Sequence, residues 1–123
     1  MARIAVVEDN PDNRLLLQAL LEESHELTEY DNGADALDAM RAAPPELVLL
    51  DISLPRMDGT EVLRRMRGDP ALAAVPVIAL TAHAMSGDRE RFIGQGFDDY
   101  VAKPIVDESI LFASIDRLLR ARG

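Results

Sequence analysis

The chain has no cysteine and no tryptophan, and only two tyrosines and three phenylalanines among its 123 residues. Without cysteine there is no disulfide framework, no thiol nucleophile and no thiolate zinc site. With so few aromatic rings, the core has to be built from aliphatic side chains. Positive charge is also short: 13 basic residues face 22 acidic ones, a formal net charge of −9. That balance argues against direct nucleic-acid binding, which needs a basic face. No apolar run approaches the length of a membrane span and no signal-peptide pattern opens the sequence, so a cytoplasmic protein without membrane insertion is expected. Internal repeats, low-complexity tracts and linkers are lacking too. What remains is 48% hydrophobic and 28% charged, the composition of a folded chain, at the length of one domain with a real core.

Strand signals alternate with helical patterns along the whole chain. The first strand is read over Arg3–Val7 and is followed by a helix from about Asp12 to Ser24. A short edge-like strand is placed over Glu26–Tyr30, and a second helix over Gly33–Ala42, where Pro44-Pro45 blocks continuation. The apolar run Glu46–Leu50 gives the third strand. Asp58 is the N-cap of a third helix, with Glu61 as its capping-box partner and Gly68 at its end. A fourth strand over Val75–Thr81, a helix over Met85–Gln95 stopping at Gly96, and a fifth strand at Tyr100–Ala102 follow. The last helix runs from about Asp107 to Arg122, with Arg117, Arg120 and Arg122 suited to its negative end. Five such β-α units imply an α/β fold, a parallel sheet with helices on both faces that binds its ligand beyond the carboxyl ends of the strands. A single domain over residues 1–123, with no output domain, is the expectation.

The strand ends carry the chemistry. Ile4-Ala5-Val6-Val7 leads into Glu8-Asp9, and Leu47-Val48-Leu49-Leu50 leads into Asp51. Strands side by side would bring these carboxylates within a few ångströms, where like charges need a cation or protons to coexist. All-oxygen ligation favours Mg²⁺ over zinc or copper. Thr81 ends the fourth strand and Lys103-Pro104 follow the fifth. Carboxylates, one hydroxyl and one lysine converging on a crevice suit phosphoryl transfer, with a carboxylate oxygen able to act as nucleophile and form an aspartyl phosphate.

These residues resemble the receiver domain of two-component response regulators. The resemblance rests on Val-Glu-Asp-Asn at 7–10, Leu-Asp-Ile-Ser-Leu-Pro-Arg-Met-Asp-Gly at 50–59, Leu-Thr-Ala-His-Ala at 80–84 and Tyr-Val-Ala-Lys-Pro-Ile at 100–105, in that order over nearly the whole chain. The run from Thr81 to Asp88 is most similar to stand-alone DivK-type regulators and to the receivers of hybrid kinases. The resemblance implies a doubly wound, flavodoxin-like sheet of order 2-1-3-4-5 with five helices. It implies that Asp51 accepts a phosphoryl group from a histidine kinase or histidine phosphotransfer protein. Glu8, Asp9, Asp51 and the Ser53 backbone carbonyl would hold Mg²⁺, and Lys103 would contact the phosphoryl group, aimed by a cis bond before Pro104. Thr81 and Tyr100 would form the switch pair that changes the surface read by a downstream protein target. Ser53 and His83 would tune how long the phosphoryl group survives. Gly59 fits a close approach after the third strand, where a side chain would crowd the site.

Other readings of the same residues fit less well. Asp58 reads as a helix cap only, and His25 as a surface residue. Leu15, Leu16, Leu17, Leu20 and Leu21 cover more of the first helix than one buried stripe needs, so some leucine there is expected to be exposed and to suit docking. A haloacid-dehalogenase-type phosphatase would carry its nucleophilic Asp at the first strand with a second Asp two residues on, but position 53 is Ser. A flavodoxin-like cofactor site would need a Ser/Thr/Gly-rich loop after the first strand, where this chain has Glu8-Asp9-Asn10-Pro11-Asp12. The expectation is therefore a signalling module that assists its own phosphorylation and dephosphorylation rather than a turnover enzyme.

Overall fold

In the computed structural model, which describes residues 2–82 and 88–122, strands and helices alternate as the apolar runs predict. The order is β1 (Ala2–Val7), α1 (Pro11–Leu21), β2 (His25–Tyr30), α2 (Gly33–Ala42), β3 (Leu47–Asp51), α3 (Gly59–Arg67), β4 (Val77–Thr81), α4 (Asp88–Gln95), β5 (Asp99–Ala102) and α5 (Glu108–Arg122). The five strands are parallel and lie in the order β2-β1-β3-β4-β5. Among the described residues no helix is long and apolar enough to cross a membrane.

Strand alternation divides the core in two. Leu47 and Leu49 join Ile4, Val6, Ile78 and Leu80 against Leu17 and Leu21 of α1 and Leu111 and Ile115 of α5. Val48 and Leu50 join Val7, Val77 and Ala79 against Leu37 and Met40 of α2, Val62 and Met66 of α3 and Phe92 of α4. Because both faces are covered, β1 from Ile4 onward, β3 up to Asp51 and β4 up to Thr81 read as unbroken apolar runs rather than alternating ones. β2, at the sheet edge, has no buried residue and is the least apolar strand.

Several boundaries differ from the expectation. α1 ends at Leu21 rather than Ser24, since nothing apolar follows to hold another turn. Val75 is buried, but its N–H bonds to the Leu72 carbonyl in a turn, so β4 starts at Val77. Asp51 is the last residue of β3 and not part of the loop after it. Met85, expected to begin α4, lies outside the described residues. Asp58 does cap α3, its side chain accepting from the Glu61 N–H at 3.0 Å, but Glu61 completes no capping box. Its carboxylate turns instead to Arg64 and Arg65. Arg117 serves the helix end less than β5, pairing with Asp99 at 2.6 Å.

α4 stops where its sequence says it should. Gly96 takes φ +112°, a region that costs any other residue. Its N–H bonds to Ile93 and that of Phe97 to Phe92, closing the helix, while the two phenyl rings meet edge-on at 5.8 Å.

Candidate functional site

Two chain segments deliver acids to one end of the sheet. Glu8 follows β1 directly, and its N–H extends the ladder by one rung to the Tyr30 carbonyl at 3.0 Å. Asp51 closes β3 beside Leu80 of β4. The loop after it folds back tightly, the Gly59 N–H bonding to the Ile52 carbonyl at 2.9 Å. A Cβ at Gly59 would run into the Asp51 carbonyl oxygen, so the close approach read from the sequence is real and only glycine permits it.

Glu8, Asp9 and Asp51 each place a carboxylate oxygen within 4.8 Å of the others. Glu8 is 1% and Asp51 2% exposed, while Asp9 is open to solvent. Lys103, just beyond β5, stands between the buried pair, its Nζ 3.2 Å from Glu8 Oε2 and 3.1 Å from Asp51 Oδ1. The sequence predicts that such a cluster needs a cation or protons; Lys103 supplies part of that charge from within the chain. The Lys103–Pro104 bond is cis. Ser53 is exposed, and its backbone N–H donates to Asp51 Oδ1 at 2.9 Å.

Burial raises the Glu8 pKa above its ordinary value; the Asn13 hydrogen bond lowers it in part, Asp51 adds to the rise and Lys103 offsets some of it. Burial works against the Lys103 charge as well, but Asp51 and then Glu8 outweigh it and hold the ammonium above its ordinary value. A buried carboxylate that ionises reluctantly, beside two others, presents only hard oxygen donors, and such a set suits a small divalent cation such as Mg²⁺. These residues fit a metal ion of that class.

Thr81, buried, ends β4 next to Ala102. Tyr100 pairs with Ala79, two residues before Thr81, so Thr81 and Tyr100 share a face of the sheet. The Tyr100 ring is half-buried and lies 5.6 Å from that of Phe92 in α4. His83 lies outside the described residues.

The response regulator receiver domain family matches residues 4–116. The chain belongs to it. This receiver is 44% identical over 103 residues to the polar-differentiation response regulator DivK of Brucella anthropi, covering 83% of this chain and 84% of that protein. It is also 41% identical over 108 residues to the signal transduction histidine-protein kinase BarA of Escherichia coli K12. That match takes in 87% of this chain, but the chain spans only 12% of the kinase's length, as it does of the sensor histidine kinase GacS of Pseudomonas protegens. Among solved structures, the receiver domain of sensor histidine kinase PA1611 of Pseudomonas aeruginosa superimposes with a TM-score of 0.86 at 34% identity, over 96% of this chain and 97% of that one. That structure holds a magnesium ion in its active-site cleft. The receiver domain of a histidine kinase from Syntrophus aciditrophicus gives a TM-score of 0.87 at 32% identity, over 98% and 92% of the two chains. The phosphatase and flavodoxin-like readings find no support.

Sequence reasoning missed two groups of residues in the receiver. Asn13 and Arg14 of α1 both donate to Glu8, though neither is assigned a role from the sequence. The signal was Asn13 three residues after the cap Asn10, where a capping-box side chain would stand. Asp99, read as part of a loop, is buried at the start of β5 and accepts from Arg89, Arg117, Ser114 and the Tyr100 N–H. It ties α4, β5 and α5 together.

Proposed function

We propose that this receiver takes a phosphoryl group onto Asp51 from a phosphohistidine of a histidine kinase or a histidine phosphotransfer protein. The observation that carries the reading is Asp51 itself: a buried carboxylate at a strand end, flanked by two further acids and contacted by a lysine. Asp51 Oδ1 already accepts from the Ser53 N–H and from Lys103. Oδ2 is then the nucleophile: a P–O bond forms to it, the P–N bond of the donor breaks, and the imidazole leaves with the electron pair and takes up a proton. Glu8, Asp9, Asp51 and the Ser53 carbonyl would hold Mg²⁺, which when bound neutralises the acids and the phosphoryl oxygens. Lys103 pairs with a phosphoryl oxygen, exchanging part of its present contact with the carboxylates.

Thr81 and Tyr100 form the switch: the hydroxyl moves to the phosphoryl oxygen and the ring follows, shifting α4 through Phe92. The altered α4–β5–α5 surface acts on a downstream protein target. Ser53 and His83, two residues beyond Asp51 and Thr81, tune the phosphoryl lifetime. The donor docks where apolar side chains surround the site: Leu15 is 65% and Leu16 38% exposed on α1, with Val106 at 92% and Ile110 at 57% before and on α5. That rim suits the apolar face of a helical bundle. The DivK relative, of which the chain covers 84%, supports the reading of a single-domain response regulator; a cytoplasmic location, and assistance to its own phosphorylation and hydrolysis without turnover, belong to the same proposal.

Incubation with Mg²⁺ and acetyl phosphate, followed by intact mass, tests the acceptor. One added phosphoryl group is expected, lost in Asp51→Asn. A wild-type protein that binds Mg²⁺ yet gains no phosphoryl group sinks the reading.

A further inference from the structure

The first turn of α1 closes on Glu8 from several directions. The Asn13 side-chain amide donates to Glu8 Oε1 at 3.2 Å, and the Asn10 N–H reaches the same oxygen at 3.3 Å. The Arg14 guanidinium donates to the Glu8 carbonyl oxygen at 2.8 Å. Oε2 meets Lys103 at 3.2 Å, and Lys103 also touches Asp51. The two carboxylate oxygens are thereby divided: Oε1 belongs to the helix, and Oε2 faces the cleft. Glu8 is almost fully buried, so each charge-assisted hydrogen bond it accepts counts for more than it would in water.

The cap fixes where Asn13 points. Asn10 accepts from the Asp12 and Asn13 N–H groups at 2.8 and 3.4 Å, which sets the first turn while leaving its own N–H for Glu8. Asn13 occupies the position from which a capping-box side chain returns to the cap. Here it passes the cap and reaches the acid instead. Asn13, Glu8, Leu16, Lys103 and Ile105 line one small cavity, so the contact lies directly behind the cleft.

We propose that Asn13 is a positioning residue for the Mg²⁺ site: by holding Oε1 against α1 it presents Oε2 to the cleft. The inference rests on the reading of Glu8, Asp9 and Asp51 as that site. Outer hydrogen bonds of this kind orient the groups that meet a metal, and their loss weakens metal affinity about 10- to 100-fold.

Isothermal titration with Mg²⁺ tests it on wild type, Asn13→Ala, Asn13→Gln and the neighbouring Asp12→Asn. Alanine is the better helix former, so the first variant keeps its fold. Asn13→Ala should raise the Mg²⁺ Kd about tenfold or more. The Mg²⁺ concentration giving half the maximal rate of phosphorylation by acetyl phosphate should rise by the same factor, with the rate at saturating Mg²⁺ recovered. Asn13→Gln, which keeps the amide, should restore much of the affinity, and Asp12→Asn should leave it near wild type. Asn13→Ala with wild-type affinity and a lowered melting temperature would make Asn13 a purely structural residue and overturn the inference. Failure of the wild type itself to bind Mg²⁺ removes the site reading, and this inference with it.

Discussion

Lys103 Nζ lies 3.1 Å from Asp51 Oδ1, and this one contact joins the loop after β5 to the end of β3 across the intervening β4. The Lys103 side chain is 15% exposed and its ammonium serves Glu8 as well, so a single cation answers for two buried carboxylates. The same group is counter-ion to both acids here and, in the proposed phosphorylated state, would meet a phosphoryl oxygen as well.

Lys103→Met should therefore destabilise the metal-free protein at neutral pH by about 3 kcal/mol, the scale for removing one partner of a buried pair. The deficit should shrink in Mg²⁺ and again as pH falls and Glu8, whose pKa burial already raises, protonates. The folded pKa of Lys103 is raised, so its contribution to wild type is complete below the ordinary value and fades as pH climbs through the higher folded one. Thermal melts of both proteins across pH, with and without Mg²⁺, check this; a constant difference throughout would contradict it.

Mg²⁺ should raise the melting temperature of the wild type, since the carboxylate cluster is assembled only in the folded chain. At a hundred times Kd the gain is about 2.7 kcal/mol. Asp9→Asn should abolish most of that gain while leaving metal-free stability within about 0.5 kcal/mol, because Asp9 is exposed. A full Mg²⁺ response in this variant would remove Asp9 from the site.

Much of this arrangement could be read from the chain because it depends on local patterns. The runs before Glu8 and Asp51 are apolar without a break, and only strands covered on both faces require that. Gly59 and Gly96 were legible for a similar reason, one needing room beside a backbone and the other a positive φ. Val75 was misplaced because a buried turn residue and a strand residue are equally apolar. Asn13, Arg67 and Asp99 stayed hidden: their partners lie elsewhere in the chain, and a polar side chain carries no mark of which distant atom it will meet. Asn13 needed the cap geometry of α1, and Asp99 needed α4 and α5 in place around it.

Arg67 should prove a stability determinant with no part in the site. From the last turn of α3 its guanidinium donates to the carbonyls of Ala73, Val75 and Gly96 and to the Asp98 carboxylate, fastening α3 to both the approach to β4 and the end of α4. Arg67→Ala should cost about 3 kcal/mol by urea denaturation, since several partners are left unsatisfied together. Mg²⁺ affinity of the folded variant should be unchanged. Arg67→Lys should recover little, because one ammonium cannot span the same fork of acceptors.

Asp99 supplies the acid-side counterpart to Lys103. Burial alone would raise its pKa, but the Ser114 hydroxyl, the Tyr100 N–H and Arg117 together hold it below the ordinary value of 3.8. A carboxyl whose folded pKa is depressed contributes stability that is present above its unfolded pKa and is lost as pH falls through the folded one. Asp99→Asn should thus destabilise the receiver at pH 7 by about 2 kcal/mol, the scale of losing hydrogen bonds to a charged group. The gap between variant and wild type should hold down to about pH 4 and close below it. Because Arg89 and Arg117 reach Asp99 from α4 and α5, the same substitution should loosen those two helices against β5. Amide exchange in α4 and α5 should quicken more than in α2, which makes none of these contacts to Asp99. Uniform acceleration over the whole chain would instead mean that Asp99 supports global stability alone.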